Sequence, residues 1–150
     1  MVNVTFGEHK GTSVETLILK EPGYVSWVLS VPNPSGPMRA LKAEIERLIT
    51  IFDGKPFSKV CHGCQKVATN CSVYRYNTYM PMWWCDNCDP YQSGADAGKL
   101  QVISTYRQAL GHSKAYSTTK DALRTLIKTM AQAKGLPARI GKSQAQAFFS

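Results

Sequence analysis

Cys-His-Gly-Cys at residues 61–64 and Cys-Asp-Asn-Cys at residues 85–88 are two Cys-x-x-Cys pairs with twenty residues between them. The tight turn of each pair brings both of its sulfurs to the same side of the backbone. Two pairs supply four thiolates, which complete the tetrahedral shell of a structural zinc ion. The sequence therefore predicts a structural Zn²⁺ site with the ligands Cys61, Cys64, Cys85 and Cys88.

The alternatives to a four-cysteine zinc site are weaker. The cysteine count of five is odd, which does not suit a secreted disulfide scaffold. Redox catalysis by one Cys-x-x-Cys pair would leave the second pair unexplained. Two residues could still replace a predicted ligand, namely the fifth cysteine, Cys71, and His62 within the first pair. The simpler interpretation of Cys71 is a small buried apolar residue.

The residues between the two pairs predict a β-hairpin. Residues 72–77 alternate in character as a strand does, and residues 79–84 lead directly into the second pair. Two metal-binding turns joined by a hairpin resemble a zinc ribbon. The hairpin is rich in aromatic residues, among them Tyr74 and Tyr76 on either side of Arg75. Such rings either stack on unpaired bases or form the core of the ribbon, and the sequence does not choose between these roles.

The N-terminal third predicts a short strand at residues 2–6, a turn, and then helices. Residues 14–17 fit one helical turn, a second helix starts at Pro22, and a third covers residues 38–52. Tyr24 and Trp27 have helical spacing in the second helix, so we predict that both are core aromatics. The third helix has one apolar stripe, formed by Leu41, Ile45, Leu48 and Phe52.

Three elements of this region resemble a known module: Phe-Gly-Glu-His-Lys-Gly at residues 6–11, Leu17, and Tyr-Val-Ser-Trp-Val-Leu at residues 24–29. The module is found at the C-terminus of exodeoxyribonuclease X-like proteins and in stand-alone quorum-sensing-regulated virulence factors of bacteria and phages. Val25 stands where the module's pattern has leucine. The resemblance covers residues 3–52 and implies a compact β-turn–helix–helix unit associated with nucleic-acid enzymes. It carries over no catalytic residue, since the acidic active site of such exonucleases lies in a separate domain.

The last third predicts two helices. The first covers residues 98–110 and stops at Gly111, and the second follows a capping box formed by Thr118 and Asp121. The second helix is apolar on one side and ends at residues 135–137. Its basic residues recur every four positions beside that apolar side, as Lys120, Arg124 and Lys128.

Charge is distributed unevenly along the chain. The net charge is +8, of which residues 96–150 carry +7 while residues 1–56 are neutral. This asymmetry favours an acidic partner for the last third, nucleic acid first, although the charge could serve solubility alone. The predicted nucleic-acid-binding residues are Tyr74, Arg75, Tyr76, Arg107, Lys114, Lys120, Arg124, Lys128, Arg139 and Lys142.

Catalytic patterns are missing from the sequence. Residues 65–84 contain no His, Asp or Glu, which excludes the usual ligands of a ββα-metal nuclease, and only four acidic residues follow Asp53. No phosphate-binding loop and no Gly-x-Ser-x-Gly motif is present. We therefore predict no enzyme and no catalytic residue.

The sequence as a whole predicts an α+β fold with three parts. They are a β-turn-helix-helix module at residues 1–55, a zinc ribbon hairpin at residues 56–95, and a basic helical region at residues 96–150. The predicted function is non-catalytic nucleic-acid binding in DNA replication, repair, recombination or transcription control of a phage or bacterium. DNA is favoured over RNA as the ligand, although the sequence does not choose between them. The alternative is an adaptor that binds a host polymerase, nuclease or defence complex.

Residues 1–10 lack the features of a signal peptide, and the longest uncharged run, residues 22–38, contains four prolines. We therefore expect a soluble, cytoplasmic protein without membrane association. A host or replication protein is a further predicted partner.

Overall fold

The computed structural model describes residues 2–75, 77–88, 90–91 and 99–150. Three helices occupy most of the first 54 residues. They are α1 (Val14–Lys20), α2 (Pro22–Ser30) and α3 (Gly36–Gly54). The hydroxyl of Ser13 caps α1 by accepting a hydrogen bond from the Thr16 amide at 3.2 Å. The helix predicted at residues 38–52 is confirmed, and all four residues of its predicted apolar stripe are buried.

Two predictions for the N-terminal region are wrong. Residues 2–6 form no full strand, because their only ladder contact among the described residues is an isolated bridge between Asn3 and Ser13. Trp27 is not a core residue, since 53% of it is exposed, whereas Tyr24 is half-buried. Helix α2 is apolar on two sides, and the residues that it buries are Pro22, Val25 and Val28.

A three-stranded antiparallel sheet follows these helices. Its strands are β1 (Asn70–Tyr74), β2 (Asn77–Trp84) and β3 (Leu100–Ile103), in the order β2-β1-β3. The predicted hairpin is therefore confirmed as β1 and β2. The predicted helix at residues 98–110 is wrong in its first half, because β3 pairs with β1 and buries Leu100 and Ile103.

Three further helices complete the chain: α4 (Tyr106–Tyr116), α5 (Lys120–Ala133) and α6 (Lys142–Phe148). Thr105 and Gln108 form a capping box that starts α4, which then continues through Gly111. The cap of α5 is Thr119, one residue after the predicted Thr118. Helix α6 was not predicted, since its seven residues are too short to show a clear period.

One hydrophobic core includes side chains from all six helices and from the sheet, where Cys71 and Val73 belong to it. Tyr106 joins distant parts of the chain. Its hydroxyl donates to the Ile18 carbonyl at 2.7 Å, and its amide donates to the Asp53 carboxylate at 2.8 Å. The arrangement is mixed α+β, as predicted. None of the helices in the described part of the chain has the length and apolar character that crossing a bilayer requires.

Candidate metal centre and basic groove

The two Cys-x-x-Cys pairs meet at one end of the hairpin. The sulfurs of Cys61, Cys64, Cys85 and Cys88 all lie within 4.8 Å of one another, and those of Cys64 and Cys85 are 3.5 Å apart. Zn–S bonds of about 2.3 Å in a tetrahedron place sulfurs about 3.8 Å apart, so this spacing suits a four-coordinate ion. A disulfide would need about 2.0 Å, and all five cysteines are free. These four cysteines could therefore hold a metal ion.

Backbone hydrogen bonds hold the first pair against the hairpin. The Cys61 amide donates to the Lys66 carbonyl at 2.6 Å, which closes the turn, and the His62 amide donates to the Trp83 carbonyl on β2 at 2.8 Å. The Gly63 amide points at the Cys61 sulfur at 3.3 Å and donates to it. Such an N–H stabilises a thiolate more than a thiol. The local fold thus prepares the sulfur for metal binding.

The sulfurs have different proton affinities because they share hydrogen bonds. Burial raises the pKa of Cys61, but N–H groups of the backbone around it outweigh burial and lower that pKa to about 6. The Asn87 amide lowers the pKa of Cys85. Hydrogen bonds to the other three sulfurs raise the pKa of Cys88 to about 12. Four sulfurs this close can all be thiolates only when a cation lies among them.

Cys71 and His62 do not belong to this cluster. Cys71 lies on β1 in the hydrophobic core, where burial raises the pKa of its thiol to about 12. His62 is exposed, and its ring packs edge-on against Trp84 with 5.7 Å between centroids. The predicted alternative for Cys71, a small buried residue, is confirmed.

A small apolar cluster packs against the metal centre, on the side of Cys61 and Cys85. Trp84 is buried together with Cys61 and Cys85, and its indole N–H donates to the Ser72 hydroxyl at 2.9 Å. Trp83 is partly buried and packs against Phe57 with ring centroids 4.9 Å apart. These two rings of the hairpin therefore pack inside the protein.

Three of the predicted nucleic-acid-binding residues come together in one cleft, which we call the basic groove. It has a volume of about 720 Å³. Its cations come from the end of α1, from α5 and from the loop before α6, and Lys142 follows the groove's last lining residue at the start of α6. The groove is lined by Leu19, Lys20, Glu21, Arg124, Lys128, Arg139, Ile140 and Gly141.

A second cleft adjoins it, and we call this cleft the aromatic groove. Its volume is about 400 Å³, and it shares Glu21 and Arg124 with the basic groove. Of the predicted residues it contains Lys120 and Arg124. The complete lining is Glu8, His9, Glu21, Pro22, Gly23, Tyr24, Trp27, Lys120 and Arg124.

The other predicted residues lie elsewhere. Arg107 and Lys114 line a separate, smaller cleft between α2 and α4, and Arg107 forms an ion pair of 3.7 Å with Glu46. Tyr74 is half-buried on β1 and Arg75 is exposed beyond its end. Tyr76 lies outside the described residues. The structure therefore brings together the residues of α5 and the tail, but not those of α4 or the hairpin.

Lys20, His9, Tyr24 and Trp27 line the two grooves and were not predicted to do so. A signal for the aromatic pair was present, because α2 carries two apolar stripes and only one can face the core. Lys20 reaches the groove only through the packing of α1 on α5, which local sequence does not report. Comparisons with protein-family models, with curated proteins and with solved structures found no match.

Proposed function

We propose that this chain is a zinc-containing protein that binds nucleic acid, DNA in preference to RNA, and is not itself a catalyst. Its process would be DNA replication, repair, recombination or transcription control. The observation that carries the proposal is the basic groove, where Lys20, Arg124, Lys128 and Arg139 converge from three separate segments around one cleft. Cations arranged along a groove are suited to successive phosphates of a nucleic-acid backbone.

Zinc is the metal that a four-thiolate site favours in proteins. A shell of four cysteines leaves no open position for a water molecule, so the ion would hold the hairpin together and would not activate a nucleophile. The ion would fix β1 and β2 by clamping the turn before β1 to the turn after β2. Its role is therefore structural.

Not all charge in the basic groove is equally available. Arg124 is compensated by two carboxylates, with Nη2 3.6 Å from Glu21 and Nη1 3.4 Å from Asp121, and its Nε donates to the Lys20 carbonyl at 2.9 Å. Lys20, Lys128 and Arg139 are exposed, and the side chains of these three residues form no ion pair with any described residue. They are thus the best placed to meet phosphates.

The test is a fluorescence anisotropy titration of the zinc-loaded full chain with labelled single-stranded DNA, duplex DNA and RNA. Each titration is repeated at several salt concentrations, because phosphate contacts make affinity fall steeply with salt. We expect binding at low salt that weakens with added salt, and strong loss of binding in K128E/R139E. No binding to any of the three nucleic acids at low salt would overturn the proposal.

A matched control separates the groove from the protein's overall charge. R39E/K59E changes the net charge by the same amount at two exposed residues that line neither groove. It should weaken binding far less than K128E/R139E does. Equal weakening by both variants would show that general charge, and not the groove, attracts the ligand.

A second candidate function is an adaptor for a protein partner, and one observation favours it. Val60 and Val67 pair across an isolated β-bridge beside the metal centre, yet they are 54% and 63% exposed. Contiguous exposed apolar surface is where partner proteins bind, and these two valines would form its centre here. In that case V60S/V67S would abolish capture of the partner from nuclease-treated lysate without changing affinity for DNA, whereas K128E/R139E would do the reverse.

A further inference from the structure

Trp27 is the most unusual exposed side chain in the aromatic groove. It is a large aromatic residue in the middle of a helix, and 53% of it is exposed. The centroid of its ring lies 5.6 Å from that of Tyr24, and the centroid of Tyr24 lies 4.5 Å from that of His9. Tyr24 therefore contacts both other rings, and we call these three residues the aromatic row.

The groove around this row has a charge pattern of its own. Glu8 and Glu21 line it together with Lys120 and Arg124, so it is not uniformly basic. Carboxylates repel phosphates but accept hydrogen bonds from the N–H groups on base edges. An aromatic row beside carboxylates is thus suited to a base and not to a sugar-phosphate backbone.

The neighbouring basic groove provides the complementary surface. The two grooves share Glu21 and Arg124, which are paired at 3.6 Å on their common border. A strand whose phosphates lie against Lys128 and Arg139 would have a base within reach of the adjoining aromatic groove. Only an unpaired base could turn out of the strand to enter it, because paired bases are stacked inside the duplex.

We propose that the aromatic groove is a base-stacking site for single-stranded nucleic acid, with Trp27 as the stacking residue. This inference rests on the nucleic-acid binding proposed above and adds the strand type and the residue that selects it. Tyr24 packs against the indole with 5.6 Å between ring centroids. Its pKa is raised by burial and by the Glu8 carboxylate, so its phenol stays protonated. The site would give the protein a higher affinity for single strands than for duplexes.

The experiment compares two ligands and three proteins. The ligands are a single-stranded DNA and a strand of the same length whose sugars are abasic, so that phosphates remain and bases are absent. The proteins are the wild type, W27F and W27L, each zinc-loaded. Stacking on one aromatic residue changes affinity by about 5- to 150-fold, so we expect W27L to lose that much for normal DNA and nothing for abasic DNA. W27F, which keeps a ring, should retain most of the affinity.

The outcomes distinguish failure of the stacking site from failure of the proposed function. If none of the three proteins binds either DNA strand, the stacking site and the proposed function are both overturned. Equal wild-type affinity for normal and abasic strands would overturn the stacking site alone, as would equal affinity of W27F and W27L. A W27L variant that keeps the wild-type preference for normal over abasic DNA would overturn it too. Because Trp27 is half-exposed, these variants should keep the melting temperature of the wild type. Measuring that temperature is the control that the variants fold.

Discussion

The indole N–H of Trp84 donates a buried hydrogen bond of 2.9 Å to the hydroxyl of Ser72. Ser72 pairs with Met82 in the hairpin, so it lies diagonally across from Trp84 on the same face of the sheet. Trp84 also packs against Cys61 and Cys85. This hydrogen bond between β1 and β2 therefore fixes the position of the indole that packs against the candidate metal centre.

Replacing Ser72 by alanine should destabilise the protein. The S72A variant leaves the indole N–H buried without its acceptor, which costs about 1–3 kcal/mol of unfolding free energy. Urea unfolding of the zinc-loaded protein measures this cost. S30A is the control, because the Ser30 hydroxyl bonds to a carbonyl on an exposed surface and its loss should cost less than about 0.5 kcal/mol. Equal costs for both variants would contradict the role given to the Trp84 bond.

Removing the metal should unfold the hairpin end of the molecule. Structural zinc in small domains contributes roughly 10 kcal/mol to folding, and the small cluster around Trp84 is too limited to replace it. We expect one zinc per chain by elemental analysis. After chelation we expect a lower melting temperature and a red shift of the tryptophan emission, because Trp84 becomes exposed to water. C64S should reproduce the loss of zinc.

The control for that prediction is the fifth cysteine. Cys71 lies in the main core and away from the four-sulfur cluster, so C71A should keep one zinc per chain. A C71A protein that purifies without zinc, or a C64S protein that retains it with full affinity, would show that the ligand set is wrong.

Gly63 should resist substitution for a steric reason. A Cβ there would lie 3.2 Å from the Cys88 sulfur, and the sulfur cannot move without distorting the tetrahedral shell. Because Gly63 also donates to Cys61, we expect G63A to weaken zinc affinity about 10-fold in a chelator competition assay. Gly111 is the matched control. It is exposed inside α4 with open space around it, so G111A should leave zinc affinity unchanged and stabilise the protein by about 0.5–1 kcal/mol.

The metal centre could be predicted from the sequence because its geometry is local. Each Cys-x-x-Cys turn orients its own sulfurs, and the hairpin between the pairs is signalled by alternation and brings the two turns together. The α3 helix could be predicted equally well, since Leu41, Ile45 and Leu48 recur at the spacing of one helix face. In these elements each residue's neighbours in sequence are also the ones that determine its structure.

Other elements depend on partners far away in the chain, and there the predictions failed. Residues 100–103 fit a helical pattern, but Ile103 pairs with Cys71 across the sheet, and that pairing decides the outcome. Trp27 follows Tyr24 at the helical spacing that is typical of core residues, yet the core lies on the side of α2 that carries Val25 and Val28. The basic groove likewise forms only after α1 and α5 pack together, which no local pattern reports.

His112 should make stability depend on pH. It is fully buried on α4, its Nε2 donates to the Val73 carbonyl at 3.2 Å, and its Nδ1 has no partner among the described residues. Burial lowers its pKa, and the Val73 bond only partly opposes this. The unfolded chain therefore binds the proton more tightly than the folded protein, so stability should fall as pH drops below about 6.5.

The H112Q variant isolates this effect from protonation of the zinc ligands. A glutamine amide can reach the Val73 carbonyl as Nε2 does, but it does not titrate. Chemical unfolding at several values between about pH 7 and pH 5 should therefore give a flatter profile for H112Q than for the wild type. Parallel profiles would show that His112 keeps its proton affinity on folding.

The basic groove should be recognisable from salt dependence. Removal of one phosphate contact lowers the slope of log affinity against log salt by about 0.7 on single strands, because one fewer counterion is released. We expect this reduction for K128Q and for R139Q, whose charges are not paired with described acidic groups. The measurement is a salt titration of affinity for one single-stranded DNA.

Arg107 and Lys114 provide the comparison, since they were predicted from the same excess of charge but line a different cleft. R107Q and K114Q remove the same charge, so they alter the long-range field as much as the groove variants do. The long-range field of a distant charge is screened by salt, so its loss releases less bound counterion than the loss of a direct phosphate contact. The slope should therefore change much less in R107Q and K114Q than in K128Q and R139Q. An equal drop in all four variants would mean that the ligand contacts the whole basic surface and not the groove alone.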